Sequence, residues 1–229
     1  MARLAFLVTI SLHICLVLVL LVSEGLSVAP RNYLDSLEQG AAADVQQLKG
    51  SLLTIEFART LRPTSAELDL ISARLQLRLG STVAGPQDMK AVHFLLREAQ
   101  AKRPSWGEPV SDQARLLIKR GLWDGSGRKL LELSLRFGPR EYFLLRRYLT
   151  LGALYYQAES ESFRRRFVDH LGVSLKVRYQ LDLVRLLVQL RLEEAVYAAL
   201  MALDDGHPLK TVYQEQMHWM LSVRDAPSV

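Results

Sequence analysis

Cysteine is nearly absent: Cys15 is the only one in the chain. That excludes a disulfide framework and any cysteine-ligated zinc or iron–sulfur centre. Thirteen Gly and eight Pro in 229 residues exclude a collagen-like or low-complexity chain. No phosphate-binding loop occurs, since Gly125-Ser126-Gly127 has neither a strand before it nor a Gly-Lys-Ser/Thr ending. A Gly-x-Ser-x-Gly elbow is also missing, so no Ser-His-Asp arrangement is legible. From residue 4 to residue 22 there is no Asp, Glu, Lys or Arg.

That last absence is the strongest signal. The 19 residues LAFLVTISLHICLVLVLLV rise about 1.5 Å each as a helix, close to the roughly 30 Å of a bilayer core. A cleaved signal has a shorter apolar centre, about 7–15 residues, so an uncleaved anchor is the better reading. Ser23-Glu24-Gly25 is a mediocre cleavage site, and Ser27-Val28-Ala29 is followed by Pro30, which obstructs a peptidase. Arg3 precedes the run and Glu24 follows it, which favours a cytoplasmic N-terminus and an exported body. The mean hydropathy of +0.07 therefore averages an apolar anchor with a polar body. His13 reads as a neutral imidazole near the headgroups.

The body reads as helix after helix. Residues 1–25 form the anchor, 26–40 a linker and helix start, 41–223 the helical domain and 224–229 a tail. Val45, Leu48, Leu52, Phe57 and Leu61 fall at helical spacing within 41–61, and Pro63 stops that helix. Thr64-Ser65-Ala66-Glu67 reads as a capping box opening a helix that Gly80 ends. Further helices are expected over 87–102, 110–120 (ended by Gly121), 126–137 (closed by Gly138), 141–157 with Pro139 in its first turn, 162–171, 179–203 broken near Arg191, and 207–223. Leu175, Val177, Tyr179, Leu181 and Leu183 alternate with polar residues as a strand would. No second run alternates as cleanly, so this stretch is read as helical.

Pro63, Pro104 and Pro139 each precede a helix, at intervals of 41 and 35 residues, a partial match to the roughly 34-residue period of tetratricopeptide helix pairs. The expected fold is all-α: a transmembrane helix followed by a tetratricopeptide-like α-solenoid or an irregular helical bundle.

Arg62-Pro63-Thr64, Arg103-Pro104-Ser105-Trp106 and Phe137-Gly138-Pro139-Arg140-Glu141 carry a resemblance. The stretch from Leu61 to Tyr156, with the N-terminal span, resembles single-span, tetratricopeptide-like accessory proteins of bacterial exopolysaccharide and surface-polysaccharide biosynthesis. In those, phrases like RPTW and LGPWE introduce helices; here Arg140 stands where the second phrase has an aromatic. The resemblance implies a noncatalytic scaffold in the inner membrane, with a periplasmic body and protein partners in a polysaccharide assembly complex.

Charge is uneven. From Arg115 to Arg166 there are twelve Lys and Arg against five Asp and Glu, whereas the whole chain is only +5. These bases form either a solvated helical face or one that attracts anions. Arg140, Arg146, Arg147, Arg164, Arg165 and Arg166 are the candidate contacts to an anionic partner, an acidic glycan or anionic lipid rather than nucleic acid. Tyr142, Tyr148, Tyr155 and Tyr156 would make an aromatic wall beside Arg146 and Arg147, or else belong to the core. No catalytic, cofactor or metal residue is assigned. Asp169-His170 and Asp204-Asp205-Gly206-His207 lack the i, i+4 spacing of a helical metal pair. Two other readings stay open: an envelope hydrolase or transferase working through His93, Asp169, His170 and Glu residues, and a basic binder of membrane surfaces.

Overall fold

The computed structural model of the chain describes residues 2–38, 40–82, 89–177, 180–203 and 205–224. Among these residues there are eleven α-helices and no strand. The chain forms two compact units, Met1–Ser105 and Trp106–Val229.

The first unit holds α1 (Ala2–Glu38), α2 (Val45–Leu61), α3 (Ala66–Thr82) and α4 (Met89–Lys102). The expected linker over 26–40 is helical as far as Glu38, so α1 runs unbroken through Pro30. A mid-helix proline costs about 3 kcal/mol. Here the stripe Ser23, Ser27, Pro30, Tyr33, Leu34 and Leu37 is buried against α2 and α3, and that packing holds the helix together. α2 is capped by Asp44, whose carboxylate accepts from the Gln47 amide at 2.7 Å. The cap of α3 is Ser65 rather than Thr64: the Ser65 hydroxyl accepts from the Leu68 amide at 3.4 Å, and Glu67 pairs with Arg31 at 2.8 Å. α3 also continues past Gly80 to Thr82. Residues 83–88, which include part of an expected loop and the expected start of α4, lie outside the described residues.

The second unit runs α5 (Gly107–Lys119), a π-helical turn (Trp123–Gly127), α6 (Arg128–Phe137), α7 (Tyr142–Ala153), a 3-10 turn (Tyr156–Ala158), α8 (Glu161–Val177), α9 (Leu181–Gln189), α10 (Glu193–Met201) and α11 (Pro208–Arg224). α7 is shorter than expected: Glu141 is its N-cap and Pro139 lies in the turn before it, not in its first turn. Of the strand-like stretch, Leu175 closes the buried stripe of α8 and Leu183 opens that of α9, while Tyr179 lies outside the described residues. The expected break near Arg191 is present, and Arg191 holds a φ of 58°.

Packing follows chain order. In the second unit α5 packs on α6 and α7, α7 on α8 and α9, α8 on α10, and α9 on α10 and α11. In the first, α1 packs on α2 and α3, and α3 on α4. Contact with the next helix and the next but one defines two layers of a helical-repeat stack, so both units are tetratricopeptide-like. In chain order Pro63, Pro104 and Pro139 each fall between the second helix of one pair and the first of the next. Gly107 marks the tightest crossing: a Cβ there would meet Leu144 Cδ1 at 2.5 Å and the Ser134 carbonyl oxygen at 2.7 Å.

Candidate functional site

The six candidate arginines do not converge. Arg140 is exposed in the α6–α7 turn, and Arg165 reaches only Glu161, one helical turn before it, at 3.5 Å. The Arg164 Nε donates to the Glu159 carbonyl at 3.1 Å. Arg146 is exposed on α7 and donates to Asp182 on α9 and to the Tyr142 hydroxyl. Arg147, one residue on, turns inward: it donates to Asp112 on α5 at 2.5 Å and to the Ser111 hydroxyl at 3.3 Å, and its guanidinium lies 4.2 Å from the centre of the Phe143 ring.

The expected aromatic wall therefore does not form. Tyr155 stacks on Trp123 with ring centres 4.3 Å apart, and Tyr156 meets the Phe167 ring edge-on. Both belong to the packing of the second unit, together with the fully enclosed Phe163 and Phe167.

Arg166 lies at a cavity. On the outer layer, α8 packs closely on α10 but not on α6. The space so left, about 320 Å³, is lined by Glu132, Leu135, Arg136, Pro139, Tyr148, Arg166 and His170. α6 contributes Glu132 and, about one turn later, Leu135 and Arg136. α8 contributes Arg166 and His170 at i, i+4, and α7 supplies Tyr148 from beneath. A single ion pair bridges the two walls: Arg166 donates to Glu132 at 3.0 Å. Tyr148 is 1% exposed, and its hydroxyl has no hydrogen-bond partner.

Burial pushes the Tyr148 hydroxyl well above its usual pKa, so it stays protonated as a donor. Burial lowers the pKa of His170, and the Arg166 charge adds to that, while Asp169 and Glu132 oppose it. The imidazole packs edge-on to the Tyr148 ring with centres 5.2 Å apart. The cavity thus carries two guanidinium groups, one half-buried titratable imidazole and a single carboxylate already paired. An acidic group entering it would meet Arg136 and compete with Glu132 for Arg166.

Three anchored acids went unread in the sequence. Asp69 on α3, 1% exposed, takes Arg59 Nε at 2.9 Å and Lys102 Nζ at 2.5 Å, joining α2, α3 and α4. Asp112 does the same for α5 and α7 through Arg147. Glu159 accepts from the Trp123 indole, from Arg128 at 2.7 Å and from the Ser160 amide at 3.3 Å. Asp69 stands between Leu68 and Leu70 with Ala66 and Ala73 one turn away, which was the available signal; Asp112, between Ser111 and Gln113, gave none.

Among the described residues no cluster of three His, Cys, Asp or Glu could hold a metal ion. Asp205 pairs with Lys210 at 2.8 Å, and Asp204 lies outside the described residues. His93 is half-buried on α4 of the first unit, whereas Asp169 and His170 belong to α8 of the second.

No family model and no curated protein matches the chain. Among solved structures it is similar to the MamA RS-1 ArsTM double mutant, at 11% identity and a TM-score of 0.47, over 88% of this chain and 98% of that one.

Proposed function

We propose that the chain is a membrane-anchored helical-repeat scaffold without chemistry of its own, and that it assists surface-polysaccharide assembly in the bacterial envelope through protein contacts. The observation that carries the scaffold reading is the layered packing within each unit, in which helices contact the next and the next but one in the chain. The anchor reading draws on α1, long and apolar enough to cross a bilayer by length and composition, with residues 8–22 all exposed. The polysaccharide setting draws on the Arg-Pro and Gly-Pro phrases, whose prolines fall between successive helix pairs. In this reading the body is periplasmic, and the cavity between α6 and α8 takes an acidic group of the partner.

The test is photo-crosslinking in native cells from position 136, with Arg136→p-benzoylphenylalanine, and from Lys49 on α2 as a control. Adducts specific to position 136 that contain a membrane glycosyltransferase or polymer-export component support the proposal. Adducts absent at 136, or identical at 49, overturn it.

A further inference from the structure

The apolar run and the packed body meet at one level. Residues 8–22 of α1 are exposed throughout, and from Val8 onward Ser23 is the first buried residue. α2 lies antiparallel to the second half of α1. At the far end the Tyr33 hydroxyl accepts from the Asp44 amide at 2.9 Å. At the near end the Ser23 hydroxyl donates to the Ala58 carbonyl at 3.2 Å, and Arg62 pairs with Glu24 at 3.3 Å.

The backbone does not stop at Ala58. From there to Arg62 it descends a further ~6 Å at 1.5 Å per residue. Because Arg62 pairs with Glu24, just past Val22, residues 62–65 lie at the end of the apolar run, where the hydrocarbon core gives way to headgroups. The headgroup zone on each side of a bilayer is roughly 5–8 Å thick, the difference between the whole bilayer and its core.

The α4 end reaches the same edge. Asp69, in the opening turns of α3, is held by Arg59 from the last turn of α2 and by Lys102 from the last residue of α4. The turn 103–105 therefore follows directly beside 62–65, and the Gln100 amide holds it by donating to the Pro104 carbonyl.

We infer that these two turns, 62–65 and 103–105, rest on the phospholipid headgroup layer, so that the first unit is seated on the bilayer as well as tethered to it. The inference rests on the anchor reading above. Neither turn contains an acidic residue, and each carries an arginine, Arg62 or Arg103, whose guanidinium matches a lipid phosphate. Pro63, Thr64, Pro104 and Ser105 are exposed. The two prolines bring no backbone N–H into a zone poor in free water.

The experiment uses the full chain with Cys15→Ser, reconstituted in vesicles of phosphatidylcholine and phosphatidylglycerol. A single environment-sensitive fluorophore is placed by Thr64→Cys, Ser105→Cys, Ala42→Cys or Leu12→Cys. Quenching by headgroup-attached nitroxide lipids should be several-fold stronger at 64 and 105 than at 42, which lies at the opposite end of the α1–α2 hairpin. Adding Arg62→Glu with Arg103→Glu should bring quenching at 64 down towards the level at 42. Equal, weak quenching at 64, 105 and 42 overturns the inference, and leaves the anchor standing if acyl-chain nitroxides still quench position 12. No quenching at position 12 overturns both.

Discussion

The Arg147 guanidinium donates to the Asp112 carboxylate at 2.5 Å, with both side chains nearly closed off from solvent. Removing one partner of such a pair strands a buried charge and typically costs about 3–5 kcal/mol. Arg147→Ala should lower unfolding stability by that order, measured by urea titration of the detergent-solubilised chain through Trp123 fluorescence. Arg147→Met combined with Asp112→Leu should recover most of the loss, since it removes both charges. A double variant as unstable as the single one would contradict this account of the α5–α7 contact.

Glu159 gives the second unit a dependence on acid. Burial pushes its pKa up, but the Trp123 indole, the Ser160 amide and the Arg128 charge together hold it below the ordinary 4.5. A carboxylate depressed in the folded state contributes stability that is present above the unfolded value and is lost as pH falls through the folded one. The wild type should therefore lose stability on acidification below about 4.5, the unperturbed glutamate range. Glu159→Gln should flatten that part of the profile in thermal melts taken from pH 6 to pH 3.

His170 acts in a higher window. Because burial depresses its pKa, the unfolded chain takes up a proton first as pH falls past about 6.5, and stability declines from there to the folded value. His170→Gln should remove that decline while leaving the more acidic one due to Glu159. An acidic compound seated beside Arg136 and Arg166 would favour the imidazolium and shrink the decline. Melts with and without sodium galacturonate, between pH 7 and pH 5, measure both effects.

Gly121 and Arg191 solve the same problem with different residues. Each follows a helix in the left-handed region, at φ 76° and 58°. In each case the next two amides return to the last helical carbonyls: Gly121 to Ile118 and Leu122 to Leu117, Arg191 to Val188 and Leu192 to Leu187. A side chain in that conformation costs about 1 kcal/mol relative to glycine. Gly121→Ala should destabilise by that order although the added Cβ meets nothing within 4 Å, and Arg191→Gly should stabilise by slightly less. Urea midpoints of the two variants should move in opposite directions.

These two helix ends also show what a sequence declares. Gly121 and the break at Arg191 are local matters, written in three or four consecutive residues, and both were legible. The linker expected at the start of 26–40 is helix instead, because burial of Tyr33, Leu34 and Leu37 against helices that follow in the chain holds Pro30 inside α1. Arg146 and Arg147 looked equivalent because a stripe of apolar residues fixes a helix face only to within a residue. Which arginine turned inward was settled by Asp112, thirty-five positions earlier. The cavity was illegible for a related reason: α6, α7 and α8 each contribute to it, and the gap between α6 and α8 is a property of packing rather than of any one segment.

In the anchored reading proposed above, the unbroken passage of α1 from its exposed half into its packed half makes the helix a lever arm. A hydrophobic segment longer than the local bilayer is thick relieves the mismatch by tilting, at a modest energetic cost per ångström. With no hinge between Val22 and Ser23, such a tilt swings α2 and α3 through the same angle, pressing one corner of the first unit towards the lipid and lifting the other. Bilayer thickness would in that way be read out as the orientation of the first repeat.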